Sequence, residues 1–474
     1  MNPVAAFPNV YFLGIGGIGM SALARWFQAN GHRVSGYDKT ATPLTEALSA
    51  EGIAVHYDDA VESIPKEVID NQENTLVILT PAIPRDHKEW AWLRERGYDI
   101  RKRSQVLGLL TQGQRTIAVA GTHGKTTTSS MVAHLLHHAG VNCSAFLGGI
   151  AVNLNSNLLL AKPGDAAAVV VEADEYDRSF LTLHPDIAIV TSTDADHLDI
   201  YGDKDALVAS FRQFVGQIKP GGTLIINHTA DASVADAVPA GVRVVRYGLN
   251  PEQGPDLNAP NITARGHEFH FDLHSPQGNV AGLVLAVPGY HNVENMLAAA
   301  FAAQLEGVQT DTLKTAVAAY KGVKRRFEFI VTAGEEKVYV DDYAHHPREI
   351  EAFLRSLRAL YPSKRLRVVF QPHLFTRTRD FAPGFSESLS IADEVVLLDI
   401  YPARELPIPG VTSELILSQI TAPKKSLQTK DQVVAAAETD TDFDVLATVG
   451  AGDIDQLVPR LKNILNIRWN GAEA

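Results

Sequence analysis

Residues Ala118-Val119-Ala120-Gly121-Thr122-His123-Gly124-Lys125-Thr126-Thr127-Thr128 decide how this chain is read. Arg115 to Ala120 is a short apolar run that predicts a buried strand, and Thr126 to Ala139 carries apolar residues at helical spacing. Strand, glycine-containing turn and helix make the geometry that holds a phosphate. N–H groups at the helix start point at the anion, and the helix dipole favours negative charge. Lys125 supplies a mobile cation for the β- and γ-phosphates, and Thr126 a hydroxyl for a Mg²⁺ bridging them. The general motif has a glycine five positions before its second glycine. Val119 stands there and the first glycine, Gly121, sits closer, so this is a shortened variant.

Outward from the loop, the rest of the chain alternates strands and helices. The 474 residues suggest about three domains. With 45% hydrophobic and 20% charged residues the composition is that of a globular protein with a sizeable core. A net charge of −13 argues against a general nucleic-acid binder. The one cysteine, Cys143, excludes an internal disulfide and fits a reducing compartment. No apolar run reaches the roughly 18 residues a membrane span needs. Met1-Asn2-Pro3-Val4 lacks a basic region followed by an apolar one, so a cytoplasmic enzyme without signal peptide is expected.

In the first third, Val10 to Leu13 predicts a strand, Gly14-Ile15-Gly16-Gly17-Ile18-Gly19 a turn, and Met20 to Asn30 a helix. Arg33 to Asp38 is a second strand ending in a carboxylate. The spacing of Gly14, Gly16 and Gly19, with Asp38 about 20 residues on, fits a diphosphate on a βαβ turn. NAD and a UDP-sugar both satisfy it. Thr75 to Leu79 is a further strand, ending in Thr80-Pro81-Ala82-Ile83-Pro84, where α/β ligands bind. His56 follows Ile53 to Val55 as a ligand contact or a surface histidine.

After the phosphate loop, Ala166 to Val171 is a buried run ending in Glu172-Ala173-Asp174-Glu175. Glu172 suits a Mg²⁺ ligand, because hard cations take carboxylate oxygen. The strand Asp186 to Thr191 leads to Asp194-Ala195-Asp196-His197, a site for a second metal ion or a solvated acidic loop. Residues 261–288 alternate like β-hairpins. Gly289-Tyr290-His291-Asn292-Val293-Glu294-Asn295 then opens an alanine-rich helix, as capping residues or as adenine recognition.

In the last third, Lys324-Arg325-Arg326 is a solvated run or brings an arginine to the γ-phosphate. Val338-Tyr339-Val340 runs into Asp341-Asp342-Tyr343-Ala344-His345-His346-Pro347, a group at a strand's carboxyl end that does not look like core. Leu366 to Gln371, followed by Pro372-His373-Leu374-Phe375-Thr376-Arg377, then Glu394 to Ile400 and Val445 to Val449 complete a third α/β unit.

Assembled in order, these stretches resemble the Mur ligase family from end to end. The resemblance rests on Gly14 to Met20, Gly121 to Thr126, Glu172 to Glu175, Asp196-His197, His291 to Asn295, Lys324 to Arg326, Asp341 to Pro347, Gln371 to His373 and Thr376 to Thr378. It implies an α/β fold of three domains: an N-terminal Rossmann-like UDP-sugar-binding domain (1–108), a central P-loop-type ATP-binding domain with a mainly parallel sheet (109–321), and a C-terminal Rossmann-like amino-acid-binding domain (322–474). It implies an ATP-dependent amide-forming ligase that joins L-alanine to the carboxylate of UDP-N-acetylmuramate through an acyl phosphate, in peptidoglycan precursor synthesis. The alternative is the member that recycles murein tripeptide onto the same sugar acid. Gln371-Pro372-His373 and Tyr343, where that member usually differs, favour the first. The resemblance places the UDP-sugar at Gly14, Gly16, Gly17, Ile18, Gly19, Met20, Asp38, His56, Thr80 and Ala82. It places ATP at Gly121, Thr122, His123, Gly124, Lys125, Thr126, Thr127, His291, Asn292, Asn295, Arg325 and Arg326. Mg²⁺ falls to Thr126, Glu172 and His197, and the amino acid to Tyr343, His345, His373 and Arg377. Lys125, His197, Arg326, His345 and Arg377 are the catalytic candidates.

Two departures stand out. The family often has arginine where this chain has Leu374. Sister ligases carry a carbamylated lysine where Ser210-Phe211-Arg212 falls here. Partners are expected to be these small molecules, without nucleic acid or membrane, in a monomer or homodimer. A nicotinamide oxidoreductase explains only the first third, and a non-catalytic UDP-sugar sensor predicts ATP turnover without an amide.

Overall fold

The computed structural model describes the chain apart from residues 1–3, 5, 163–166, 195–200, 335–336, 404, 441 and 472–474. Its contacts group into two compact units. One comprises Met1–Pro260, Leu273–Ala281 and Glu294–Val317, the other Asn261–Asp272, Gly282–Val293 and Ala318–Ala474.

The first unit holds two sheets. Strands β1 (Asn9–Leu13), β2 (Arg33–Tyr37), β3 (Ala54–His56), β4 (Thr75–Leu79) and β5 (Asp99–Lys102) lie in the order β3-β2-β1-β4-β5, all parallel. The order reverses at β1, so a crevice opens beyond the carboxyl ends of β1 and β4, where such sheets bind ligands. The second sheet contains β6 (Arg115–Ala120), β7 (Cys143–Ala151), β8 (Ser156–Leu159), β9 (Ala168–Glu172), β10 (Ile187–Val190), β11 (Thr223–Asn227) and β12 (Arg243–Tyr247). They run in the order β12-β11-β10-β6-β9-β7-β8, parallel except where β8 meets β7. Helices cover both faces of a parallel sheet, which is why β6, β9 and β10 read as apolar runs without alternation. Ile117 to Ala120, Val170, Val171 and Ile187 to Val190 are buried.

Three short strands, β13 (Thr263–Arg265), β14 (Glu268–Leu273) and β15 (Val280–Leu285), form a small sheet lying mostly in the second unit. The remainder of that unit is one sheet of β16 (Glu328–Ala333), β17 (Lys337–Asp342), β18 (Leu366–Phe370), β19 (Glu394–Leu397), β20 (Lys424–Leu427) and β21 (Val445–Val449). Its order is β16-β17-β21-β18-β19-β20, parallel apart from β16 on β17. Apolar clusters fill both faces, Val340, Phe353, Val368 and Phe385 on one, Tyr339, Val369, Leu446 and Leu461 on the other. Among the described residues no helix is long and apolar enough to cross a membrane.

Candidate active site

Both glycine loops open helices that no side chain caps. Gly17 precedes the helix Ile18–Ala29, and Gly124, at φ +78°, precedes Lys125–His138. By contrast, Thr42, Asp203 and Thr429 cap helices elsewhere with their own oxygens. A helix start left without a side-chain acceptor keeps its first-turn N–H groups for an anion.

In the N-terminal crevice, Gly14 turns with φ +87°, and a Cβ there would lie 2.3 Å from the Thr80 Cγ2. The Gly14 and Ile15 N–H groups donate to Tyr37 O, and Gly16 N–H donates to Asp38 Oδ2 at 2.7 Å. Asp38 therefore braces the loop itself, with Oδ1 accepting from Thr40 N–H at 3.3 Å. Thr80 stands half-buried beside the loop, and Ala82 is exposed in the turn that follows. His56 lies deeper, its Nε2 2.8 Å from Tyr11 Oη, which donates to the buried Glu89 at 2.6 Å. Burial lowers the His56 pKa. The reading from sequence passed over Arg103, whose guanidinium would meet a Cβ on Gly19 at 2.8 Å and whose NH2 lies 4.0 Å from Asp174. The basic run Arg101-Lys102-Arg103 was its signal.

At the phosphate loop, the carboxyl end of β10 grips the turn. Thr122 Oγ1 and Ser192 Oγ are 2.8 Å apart, His123 N–H donates to Ser192 Oγ at 2.9 Å, and Thr191 Oγ1 donates to His123 O. His123 Nε2 is 3.5 Å from Asp194. Lys125 Nζ donates to Gly121 O at 2.7 Å and to Glu175 at 2.9 Å, and the Glu175 side chain has 0% exposure. Burial opposes the lysine's charge, but Glu175, Asp174 and Glu172 outweigh it and hold the ammonium above its usual range. Two of its three donors are thus engaged, which aims the remaining one. Thr126 and Thr127 are buried at the helix start. Asn295 lies against the loop, since a Cβ on Gly124 would fall 2.9 Å from its Oδ1.

Glu172 ends β9 beside this loop. Gly148 N–H donates to its Oε2 at 3.0 Å, and a Cβ on Gly148 would sit 2.2 Å from that oxygen. The strand carrying Gly148 was not read from sequence, because Gly148-Gly149 interrupts its apolar run. Gly148→Ala is expected to push the carboxylate aside and raise the Mg²⁺ needed for half-maximal activity severalfold; a metal titration checks it. Asp196 and His197 lie outside the described residues. Among those described, no three His, Cys, Asp or Glu side chains gather as a metal cluster.

In the second unit, Asp341 and Asp342 end β17 with Tyr343 and His345 after it, Gln371 and His373 follow β18, and Gly450 to Asp453 follow β21, three adjacent strands. Arg325 is tied down: its Nε is 3.0 Å from Asp341, and its NH2 donates to Gly450 O at 2.8 Å. Both guanidiniums lie over the Tyr343 ring, Arg325 at 5.2 Å and Arg326 at 5.1 Å from its centroid. Buried Asp342 accepts from Phe327 and Ala344 N–H, both at 2.7 Å; burial, partly offset by Arg326, raises its pKa to about 6. His345 Nδ1 is 3.1 Å from Tyr343 O and 3.4 Å from Glu349. Its ring centroid is 6.2 Å from that of His373. Arg377 is buried in the first turn of the helix Phe375–Leu389, which Leu374 introduces at φ +68°. A leucine in that region costs on the order of 1–3 kcal/mol.

Asn292, buried, donates from Nδ2 to Pro288 O at 2.7 Å and so closes the turn before its helix. His291 Nδ1 has no hydrogen-bond partner among the described residues. Desolvation, helped by Arg326, lowers the His291 pKa to about 4. Between pH 6.5 and 4 the unfolded chain then binds a proton that the folded one refuses, so stability falls as pH drops through this window. The loss attributable to His291 is at most about 3 kcal/mol. Urea denaturation at pH 4 to 7 should show a shallower acid limb for His291→Asn than for the parent.

A chain with two uncapped glycine loops on mainly parallel sheets, and a third mainly parallel sheet gathering histidine and arginine at its carboxyl ends, is an α/β nucleotide-using protein of three domains. Family models match along its length. "Mur ligase family, catalytic domain" covers residues 9–115, "Mur ligase middle domain" 119–303, and "Mur ligase, glutamate ligase domain" 325–454. A UDP-N-acetylmuramate–L-alanine ligase of Cytophaga hutchinsonii is 47% identical over 98% of both chains. One of Phocaeicola vulgatus is 48% identical over 98% of this chain and 99% of its own. Among solved structures, UDP-N-acetylmuramate-alanine ligase from Thermotoga maritima matches with TM-score 0.80 and 26% identity, covering 98% of this chain and 100% of its own. A murein peptide ligase from Psychrobacter arcticus matches with TM-score 0.68 and 25% identity, covering 96% and 99%. The chain belongs to the Mur ligase family.

Proposed function

We propose that this chain is an ATP-dependent carbon–nitrogen ligase that joins L-alanine to the carboxylate of UDP-N-acetylmuramate, giving ADP and phosphate, in peptidoglycan precursor synthesis in the cytoplasm. The observation that carries this is the identity of 47–48% along nearly the whole chain to relatives bearing that activity in their names. The higher TM-score to the alanine ligase than to the murein peptide ligase favours it over tripeptide recycling.

The parts are assigned to three domains, 1–108, 109–321 and 322–474. The uncapped turn Gly14 to Met20 receives the UDP diphosphate, with Asp38, His56, Thr80 and Ala82 around the crevice. Gly121 to Thr127, with Asn295, receives the ATP phosphates, and His291 and Asn292 the adenine end. Mg²⁺ suits the oxygen donors Thr126 and Glu172, and His197 is the remaining ligand proposed. One Glu172 oxygen already accepts from Gly148 N–H, which fixes the carboxylate's direction. When bound, the ion neutralises phosphate charge.

A carboxylate is a poor electrophile toward amines. The sugar acid's carboxylate oxygen attacks the γ-phosphorus, the bond to the β-bridging oxygen breaks, and ADP leaves. Lys125 and Arg326 meet the charge spread over the transferring oxygens. Arg325, held by Asp341, Gly450 and Asp455, is the neighbouring arginine assigned to ATP. The alanine carboxylate suits the fork of Arg377, with Tyr343 and His373 beside it. His345 takes a proton from the ammonium, its ring oriented by Glu349. The freed amine attacks the acyl carbon, and phosphate departs carrying the former carboxylate oxygen. ¹⁸O placed in the sugar acid's carboxylate is expected in the released phosphate; phosphate free of label contradicts the acyl-phosphate step.

A further inference from the structure

We propose that Tyr401 and Glu405, on the loop after β19, are positioning residues for the amino-acid substrate, acting through His373 and Arg377. This rests on the assignment of the amino acid to those two side chains.

The segment between them does not hold itself. Leu374 stands at the helix N-cap with an apolar side chain that caps nothing, in a backbone conformation of φ +68° and ψ 138°. Such a turn persists only when its surroundings over-determine it. The loop after β19 supplies what is missing. Leu374 N–H donates to Tyr401 O at 2.9 Å, and Tyr401 N–H donates to Pro372 O at 2.8 Å. The Tyr401 ring stacks on His373, with centroids 5.8 Å apart and planes 16° from parallel. Glu405 accepts from Thr376 N–H at 3.0 Å and from Thr376 Oγ1. Its carboxylate thereby caps, from another segment, the helix whose third residue is Arg377, and its charge meets the positive end of the dipole. One flank of the strained turn carries His373, the other Arg377, and each flank is fastened by a different residue of the same loop.

The test uses the full chain with Glu405→Ala, Glu405→Gln, Tyr401→Leu and Arg377→Ala, measuring KM for L-alanine, ATP and UDP-N-acetylmuramate together with Tm. Glu405→Ala and Tyr401→Leu are each expected to raise the alanine KM about tenfold while the other two KM values stay within about twofold. Glu405→Gln, which keeps an acceptor, is expected to recover part of that loss. An unchanged alanine KM, or equal shifts in all three KM values, overturns the proposal. If Glu405→Ala does not fold, Glu405→Gln and Tyr401→Leu decide by the same criterion. Arg377→Ala separates the layers. Should it leave the alanine KM unchanged, the amino-acid site itself is misplaced and the proposal falls with it. Should it raise that KM while the loop variants do not, the proposal alone is overturned.

Discussion

Lys125→Ala is expected to lower ATP-dependent product formation by at least about 10³-fold, with UDP-N-acetylmuramate binding nearly intact. Under the proposed assignment the lysine has two functions. Toward the nucleotide it is a cation whose position is set by Gly121 O and Glu175. Toward the fold it is the counter-charge of a fully buried carboxylate. Removing it breaks the buried Lys125–Glu175 ion pair, a cost on the order of 3–5 kcal/mol. The single variant should therefore lose Tm as well as activity. The double variant Lys125→Met/Glu175→Gln removes both charges and should regain much of the Tm while remaining inactive. Calorimetry on the two, beside a sugar-acid binding titration, distinguishes loss of chemistry from loss of fold. Activity retained in Lys125→Ala removes the role assigned to the loop.

Gly121→Ala is the second large effect. At φ +134° an added Cβ lies 2.1 Å from Thr191 Oγ1 and 2.8 Å from Ser192 N, so backbone preference and contact both forbid it. The β10 end is what grips His123 and Thr122, and pushing it away displaces the phosphate-facing N–H groups. Misplacement by about 1 Å costs roughly 10²-fold in rate. Gly140→Ala is the control: its φ is +75° and nothing lies within 4 Å of the added Cβ, so it carries the backbone cost alone. The expected result is a fall of about 10²-fold in kcat/KM for ATP in Gly121→Ala and a change within about twofold in Gly140→Ala. Equal effects in the two would show that the contact with β10 does not matter.

How much of this was legible in the sequence depends on whether a feature is local. Strand β6, its glycine turn and the helix after it follow one another in the chain, so the hydrophobic pattern and Gly121, Gly124 and Lys125 suffice. The same holds for Gly14 to Gly19 and for β17 running into Asp341 and Asp342. Features made by neighbours in space were not legible. Gly148 faces Glu172 across adjacent strands, Ser192 reaches back to Thr122 and His123, and Glu405 caps a helix that starts 30 residues earlier by sequence number. Short or interrupted strands, such as β7 with its paired glycines, also escaped the pattern. Arg325 and Arg326 looked equivalent as a basic run; both flank the Tyr343 ring, and only the fold shows Arg325 bonded to Asp341 and Gly450 O.

The central claim is that one nucleotide phosphate makes a sugar acid reactive enough to capture an amine. Its most direct test is the mass of the product when the protein is incubated with ATP, Mg²⁺, UDP-N-acetylmuramate and each amino acid in turn. The account expects an alanyl adduct, one ADP per adduct, and no adduct when ATP, the sugar acid or the amino acid is omitted. ATP consumption indifferent to the sugar acid and alanine, with no heavier product, would contradict it.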